Sequence, residues 1–228
     1  MPPKIDWSEF INDRFNWSQG EHISLIGPTG CGKTTLALSV LPQREYAVAF
    51  GTKPKDATLE KLLQRGWRRL ETWNPRPGER RIVLWPKFEK PSDMANQQRV
   101  FADALGKIFT EGGWCVYVDE ARYFVDVLKL APYLRLYWYQ GRSLGISLVT
   151  TTQRPAYMPL ELYDAATHLF IWRENDRVNL TRLGGIAGQE GGSFDGRAIA
   201  RIVSSLPRHQ SLYVDTRSAT LLRTTVPC

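Results

Sequence analysis

The densest chemistry in the chain lies in eight consecutive residues. Gly27-Pro28-Thr29-Gly30-Cys31-Gly32-Lys33-Thr34 fit the spacing G-x-x-x-x-G-K-[ST], and Thr35 carries them into a helix-like stretch, 35–41. An apolar run, 22–26, comes immediately before. A glycine-rich turn between a strand and a helix lets successive backbone N–H groups curl around phosphate oxygens, and the helix N-terminus adds a partial positive charge. The pattern predicts a phosphate-binding loop in which Lys33 reaches the β- and γ-phosphates of a nucleoside triphosphate and Thr34 sets its hydroxyl on Mg²⁺. A chance match to this spacing is on the order of one in a hundred for a chain of this length. The flanking strand and helix lower it further.

A second constellation follows. Trp114-Cys115-Val116-Tyr117-Val118-Asp119-Glu120 is an apolar run ending in two acids. Beside a phosphate loop, an acid at a strand end holds the metal shell, and the adjacent carboxylate orients and deprotonates the attacking water. Asp119 takes the first role and Glu120 the second. A base for water would harm a small-molecule kinase, from which water must be kept out, so the pair favours a hydrolase. Gln153, just past the apolar run 146–150, is placed to lie beside the γ-phosphate and report its loss, with Arg154 as the neighbouring candidate. The plain alternative for each is a polar strand end.

Bringing these groups together requires strands that end side by side. Apolar runs at 46–50, 81–85, 114–118, 146–150 and 168–172 read as buried strands. Between them lie helical patterns. One is capped by Asp56 and carries Leu59, Leu62 and Leu63; the other is capped by Ser92, keeps Val100, Phe101, Ala104, Leu105 and Ile108 at helical spacing, and stops at Gly112-Gly113. Strands alternating with helices predict an α/β fold with a mostly parallel sheet flanked by helices and the ligand at the strands' carboxyl ends. Ser211-Leu212-Tyr213-Val214 and Thr220-Leu221-Leu222-Arg223 predict a C-terminal β-hairpin added to that sheet. Residues 6–11 and 15–17 read as a short amphipathic helix and a turn, with aromatics that pack on the sheet edge or stand near an adenine ring. The glycine-rich stretches 183–188 and 191–193 read as loops facing a pore or a neighbour.

At 228 residues and 43% hydrophobic, the chain suits one substantial core, so a single domain is expected: a lead-in over 1–20, a core over 21–183 and a C-terminal loop and hairpin over 184–228. No run approaches the ~18 apolar residues of a membrane span, and the first residues lack a signal-like apolar region, which points to the cytoplasm. Cys31, Cys115 and Cys228 lack metal-ligand spacing and read as reduced thiols, while His22, His168 and His209 are scattered and read as structural or exposed. The net charge of +7 favours a polyanionic partner. Arg65, Arg68, Arg69, Arg76, Arg80 and Arg81 cluster around Trp67 and Trp73. Two readings stand side by side: a surface that grips phosphates and stacks on bases, or a solvated helix end whose tryptophans pack inward. Tyr133, Tyr137, Trp138 and Tyr139 fit core packing better than a DNA channel.

Four segments together, GPTGCGKT, VDEARYF, GRSLGISLVTTTQRP and THLFIWRENDRVNL, resemble the HerA/FtsK superfamily of P-loop DNA translocases and genome-packaging ATPases. The resemblance covers 21–183. It implies a RecA-like P-loop NTPase fold, ATP and Mg²⁺ as ligands, Gln153 as γ-phosphate sensor, and an arginine finger supplied by a neighbouring subunit, which maps to Arg142 with Arg173 competing. It also implies a homo-oligomeric ring, a hexamer, acting on double-stranded DNA without sequence preference. The chain has no room for the HerA barrel and lacks the FtsK membrane helices and winged-helix domain. It therefore looks like the small viral genome-packaging ATPases, working in the host cytoplasm or on the virion with a capsid or portal vertex protein. Two alternatives differ in class: a Zot-like assembly or secretion factor acting on protein, and a nucleotide kinase, which would want an arginine-rich lid and no Glu120-type base.

Overall fold

Alternation along the strands decides the architecture. The structure is a computed structural model and describes residues 1–186 and 195–226. Nine strands, β1 (Ile23–Ile26), β2 (Ala47–Phe50), β3 (Arg68–Leu70), β4 (Arg81–Leu84), β5 (Cys115–Val118), β6 (Ser147–Thr152), β7 (His168–Trp172), β8 (Gln210–Asp215) and β9 (Thr220–Thr225), form one sheet in the order β3-β4-β2-β5-β6-β1-β7-β8-β9. The first seven in that order run parallel, and β8 and β9 are added antiparallel. Because successive side chains point to opposite faces, Ile23 and Leu25 join one apolar cluster and Ile26 the other, and Cys115 and Tyr117 separate in the same way from Val116 and Val118. Both faces are buried, as a parallel sheet requires.

The helices Lys33–Val40 and Ala57–Gln64, with Phe10, Phe15 and Trp17 from the lead-in, cover one face. The helices Met94–Glu111, Ala131–Gln140, Arg177–Leu183 and Gly196–Ser204 cover the other. The lead-in aromatics are sheet packing: Phe10 and Phe15 lie against Phe170 and Tyr213. Asp56 caps its helix by accepting the N–H groups of Thr58 and Leu59.

Three expectations change. Ser92 is not a cap, because a 3-10 turn, Pro91–Asp93, precedes the long helix and its Asp93 carboxylate accepts the N–H groups of Glu89 and Lys90. Arg68–Leu70 is an edge strand where the sequence suggested only a helix end and turn. Leu183 closes a helix rather than sitting in a loop, whereas Ala187, Gly188 and 191–193 lie outside the described residues, as does Cys228. Cys31 and Cys115 are buried free thiols.

The position of β6 matters most for chemistry. It separates β1 from β5, with Ile26 opposite Thr152 and Val118 opposite Thr150. The phosphate loop after β1, Gln153 after β6 and the acids after β5 therefore leave the sheet at one edge, side by side.

Candidate nucleotide-binding site

β1 gives way to a turn whose positive φ angles favour glycine at two points, Gly30 (φ 74°) and Gly32 (φ 114°). Gly27 is needed for space: a Cβ there would lie 2.7 Å from Cβ of Trp172 and 3.0 Å from Sγ of Cys31, so the loop is seated directly on β7. Lys33 opens the helix and folds back over the loop. Its Nζ donates to the carbonyls of Gly27 (2.6 Å) and Pro28 (2.8 Å). Burial lowers its pKa, partly offset by Cys31, Glu120 and Asp119. A buried ammonium is costly unless hydrogen-bonded, and phosphate oxygens are the natural exchange partners for those carbonyls. Thr34 follows, half-buried, and Thr35 is exposed.

The acids are held by the neighbouring strand. Thr151 on β6 donates to Oδ1 of Asp119 (2.9 Å) and accepts the backbone N–H of Glu120 (2.8 Å), so one hydroxyl fixes both residues. Glu120 has φ 52°. A left-handed backbone at a side-chain-bearing residue costs on the order of 1 kcal/mol and concentrates at functional sites. Burial, and then the charge of Asp119, raise the Glu120 pKa, while hydrogen bonding to Gln153 and the charge of Lys33 oppose them. Gln153 in turn accepts the Thr29 hydroxyl (2.8 Å). Loop, glutamine and acid are thus linked in sequence.

The buried Tyr117 hydroxyl donates to Oδ1 of Asp119 at 3.3 Å, and the Thr34 side chain is near enough to oppose the rise that burial imposes on the phenol's pKa. The two expected metal ligands, Thr34 and Asp119, both lie beside this phenol. Their donors are hard oxygens, a hydroxyl and a carboxylate, which with phosphate oxygens and water suit Mg²⁺. A cation already stands there: Lys53 Nζ lies 2.9 Å from Oδ2 of Asp119.

Two arginines occupy different ends of the molecule. Arg142 is exposed in the turn Gly141–Leu144 ahead of β6. It therefore sits at the edge opposite the phosphate loop and does not join the other site residues. Arg173 follows β7 and, with Pro28, Cys31, Trp172, Arg208 and His209, lines a cavity of about 450 Å³ beside the loop. Arg154 shares the groove next to Glu120 with Arg122 and Tyr123.

Base stacking by the arginine–tryptophan cluster does not survive. Trp67 and Trp73 are buried; Nη1 of Arg68 donates to both carboxylate oxygens of Glu79 (2.7 and 2.8 Å) and Arg69 covers Trp85, while Arg65 is exposed. Tyr137 and Trp138 are core, but Tyr139 is exposed and bonds Glu161. His22 and His168 are buried, whereas His209 borders the cavity. Sequence reasoning missed Lys53, Thr151, the Tyr117 hydroxyl, Trp172 and Arg208. None carries a motif, and each becomes visible only through strand order.

No protein-family profile and no curated protein sequence matches the chain. Solved structures do resemble it. The genome packaging NTPase B204 of Sulfolobus turreted icosahedral virus 2 superposes in its AMPPCP complex with a TM-score of 0.66 at 15% identity, over 91% of this chain and 98% of that one. Its ATP-gammaS complex gives 0.66 at 13% identity, over 93% and 100%. The cytoplasmic domain of the type VII secretion ATPase EccC from Thermomonospora curvata gives 0.58 at 16% identity, over 99% of this chain but 28% of that one. At such identities the likeness is one of fold: the chain has the P-loop NTPase fold, a mostly parallel sheet flanked by helices.

Proposed function

We propose that the chain is an Mg²⁺-dependent ATPase that assembles into a ring, a hexamer, and drives double-stranded DNA as a viral genome-packaging motor. The observation that carries the ATPase reading is the convergence of Lys33, Asp119, Glu120 and Gln153 at one sheet edge, joined through Thr29 and Thr151. In this reading the loop N–H groups and Lys33 hold the phosphates, and the cavity lined by Arg173, Arg208 and His209 takes the nucleoside. Glu120, set apart by its raised pKa, accepts the proton of water, and Gln153 orients that water against the γ-phosphate. Bound Mg²⁺, held through Thr34 and Asp119, would neutralise charge on the phosphates. Arg142, which precedes β6 while the loop follows the opposite end of β1, would in this reading serve the site of a neighbouring subunit, with Arg173 the competing candidate.

The fold likeness to a packaging NTPase and the net charge of +7 support DNA as the polymer moved. A motor that passes any sequence should contact phosphates rather than base edges. Duplex DNA should therefore stimulate hydrolysis regardless of sequence, with the effect fading above roughly 0.2 M salt as counterion release weakens binding. Arg65 is the cation of its cluster to reverse first, because Arg68 and Arg69 are engaged within the fold. The fold likeness to a secretion ATPase domain supports a second reading, a nucleotide-dependent assembly or secretion factor. Stimulation by a capsid or membrane protein, with none by duplex DNA at low salt, would replace the motor with that reading. Electron microscopy with an ATP analogue and duplex DNA tests whether a ring closes around the DNA.

A further inference from the structure

Lys53 and Asp119 form a lopsided pair. The lysine side chain is 54% exposed and the aspartate 17%. Oδ1 of Asp119 is engaged by Thr151 and Tyr117, and Oδ2 is left to Lys53. The loop beneath Lys53 is fixed. Its own carbonyl accepts Nε1 of Trp85 (2.8 Å), and the carbonyls of Gly51 and Thr52 accept Nε2 of Gln97 (3.4 and 3.1 Å). Gly51 sits so close to Trp85 that a Cβ would lie 2.6 Å from the ring.

Backbone and carboxylate are therefore both anchored, and the moving part is the flexible lysine stem. A second carboxylate is within its reach: Oδ2 of Asp56 lies 3.5 Å from the same Nζ, while Oδ1 is spent on the helix cap. An ammonium and a divalent cation repel strongly if they share one carboxylate. Whatever brings Mg²⁺ to Asp119 must move Lys53.

We propose that Lys53 is a displaceable counter-ion that neutralises the already anchored Asp119 carboxylate until a magnesium nucleotide exchanges with it. The inference rests on the reading of the chain as an Mg²⁺-dependent ATPase. The exchange sets metal affinity by competition, and Asp56 shortens the path of the departing ammonium. Lys53 contacts no phosphate in this scheme, so its charge should matter to metal-dependent binding and not to binding without metal.

The test follows binding of N-methylanthraniloyl-ATP to the full chain by fluorescence, in EDTA and across an Mg²⁺ titration, for the wild type, Lys53→Met and Lys53→Arg. Methionine keeps an extended stem and removes the charge. The Mg²⁺ midpoint should fall about two- to fivefold in Lys53→Met, the scale of losing one partly exposed competing pair. It should stay within about twofold in Lys53→Arg, and affinity in EDTA should be the same in all three. An unchanged or higher midpoint in Lys53→Met overturns the proposal. So does a loss of affinity in EDTA, which would make Lys53 a phosphate ligand. If the wild type binds no nucleotide at any Mg²⁺ concentration, the ATPase reading and this inference fall together, an outcome distinct from failure of the variant comparison alone.

Discussion

The Thr29 hydroxyl donates to Oε1 of Gln153 across 2.8 Å, so a single side-chain bond joins the phosphate loop to the end of β6. Gln153 also meets the Glu120 carboxyl. One amide therefore lies between the loop and Glu120, bonded to the loop through Thr29, where a γ-phosphate bound by the loop would compete for it in the proposed reading. Gln153→Ala should leave nucleotide affinity within about threefold while lowering kcat by about 10²-fold or more, the scale of losing one preorganised polar group at a transition state. Stopped-flow binding and steady-state hydrolysis separate the two. A proportional loss in both would demote Gln153 from sensor to loop support.

Lys33 and Glu120 should fail in different ways. Lys33 is buried on the loop carbonyls, where ground-state phosphate would lie, so Lys33→Ala should weaken nucleotide binding itself. Glu120→Gln keeps the shape and removes the proton acceptor, so nucleotide should bind and not turn over. Calorimetric binding beside a phosphate-release assay reads both. Equal loss of binding in the two variants would end the assignment of Glu120 as base.

Stability should carry an acid limb from His22. Its Nδ1 accepts the N–H of Leu148 (3.0 Å). Burial pushes its pKa from 6.5 down to about 4; the charge of Arg142 acts in the same direction, and the Trp138 and Tyr137 carbonyls and Glu21 oppose it. Between pH 6.5 and about 4 the unfolded chain binds more protons at this site, so stability is full above 6.5 and falls through the window by roughly 3 kcal/mol. The depressed Glu21 carboxyl acts in the same direction only lower, as pH falls below 4.5. Urea unfolding at pH 7, 6 and 5 should show this slope in the wild type and a flatter one in His22→Gln. Identical slopes would assign the acid limb to another group.

The fold was legible because local signals agreed with the global one. Residues 168–172 read as a strand and are one, and the two apolar segments flanking the polar turn 215–218 pair antiparallel as a hairpin. β3 was hidden because Arg68-Arg69-Leu70 has no strand-like pattern; it exists through pairing with β4 and the bond from Arg68 to Glu79. Within the site, the loop and the acids announce themselves by spacing. Lys53 does not, being 66 residues from Asp119 and meeting it only because β2 pairs with β5. His209, one of three histidines scattered in the sequence, lines the same cavity as Pro28 and Cys31 through the antiparallel return of β8 beside β7. Contacts made by strand order leave no trace in a local pattern.

Arg142 offers the sharpest test of assembly. It is exposed just ahead of β6, while the phosphate loop follows the opposite end of β1, the strand paired with β6. A side chain cannot cross that sheet, so any catalytic service from Arg142 must go to a second copy. A cation supplied in this way is worth about 10³ to 10⁵ in rate in the best-studied phosphoryl-transfer systems. Arg142→Ala and Glu120→Gln should each be inactive alone. Mixed before assembly, they should regain part of the wild-type rate, because some interfaces then pair an intact Glu120 with an intact Arg142. The recovery should peak near equal proportions and vanish when Arg142→Ala and Glu120→Gln sit in the same chain. If mixed oligomers form, as crosslinking or native mass spectrometry would show, and no proportion restores hydrolysis, Arg142 is not the trans cation. Arg173, exposed beside Pro28, is then the residue to test next.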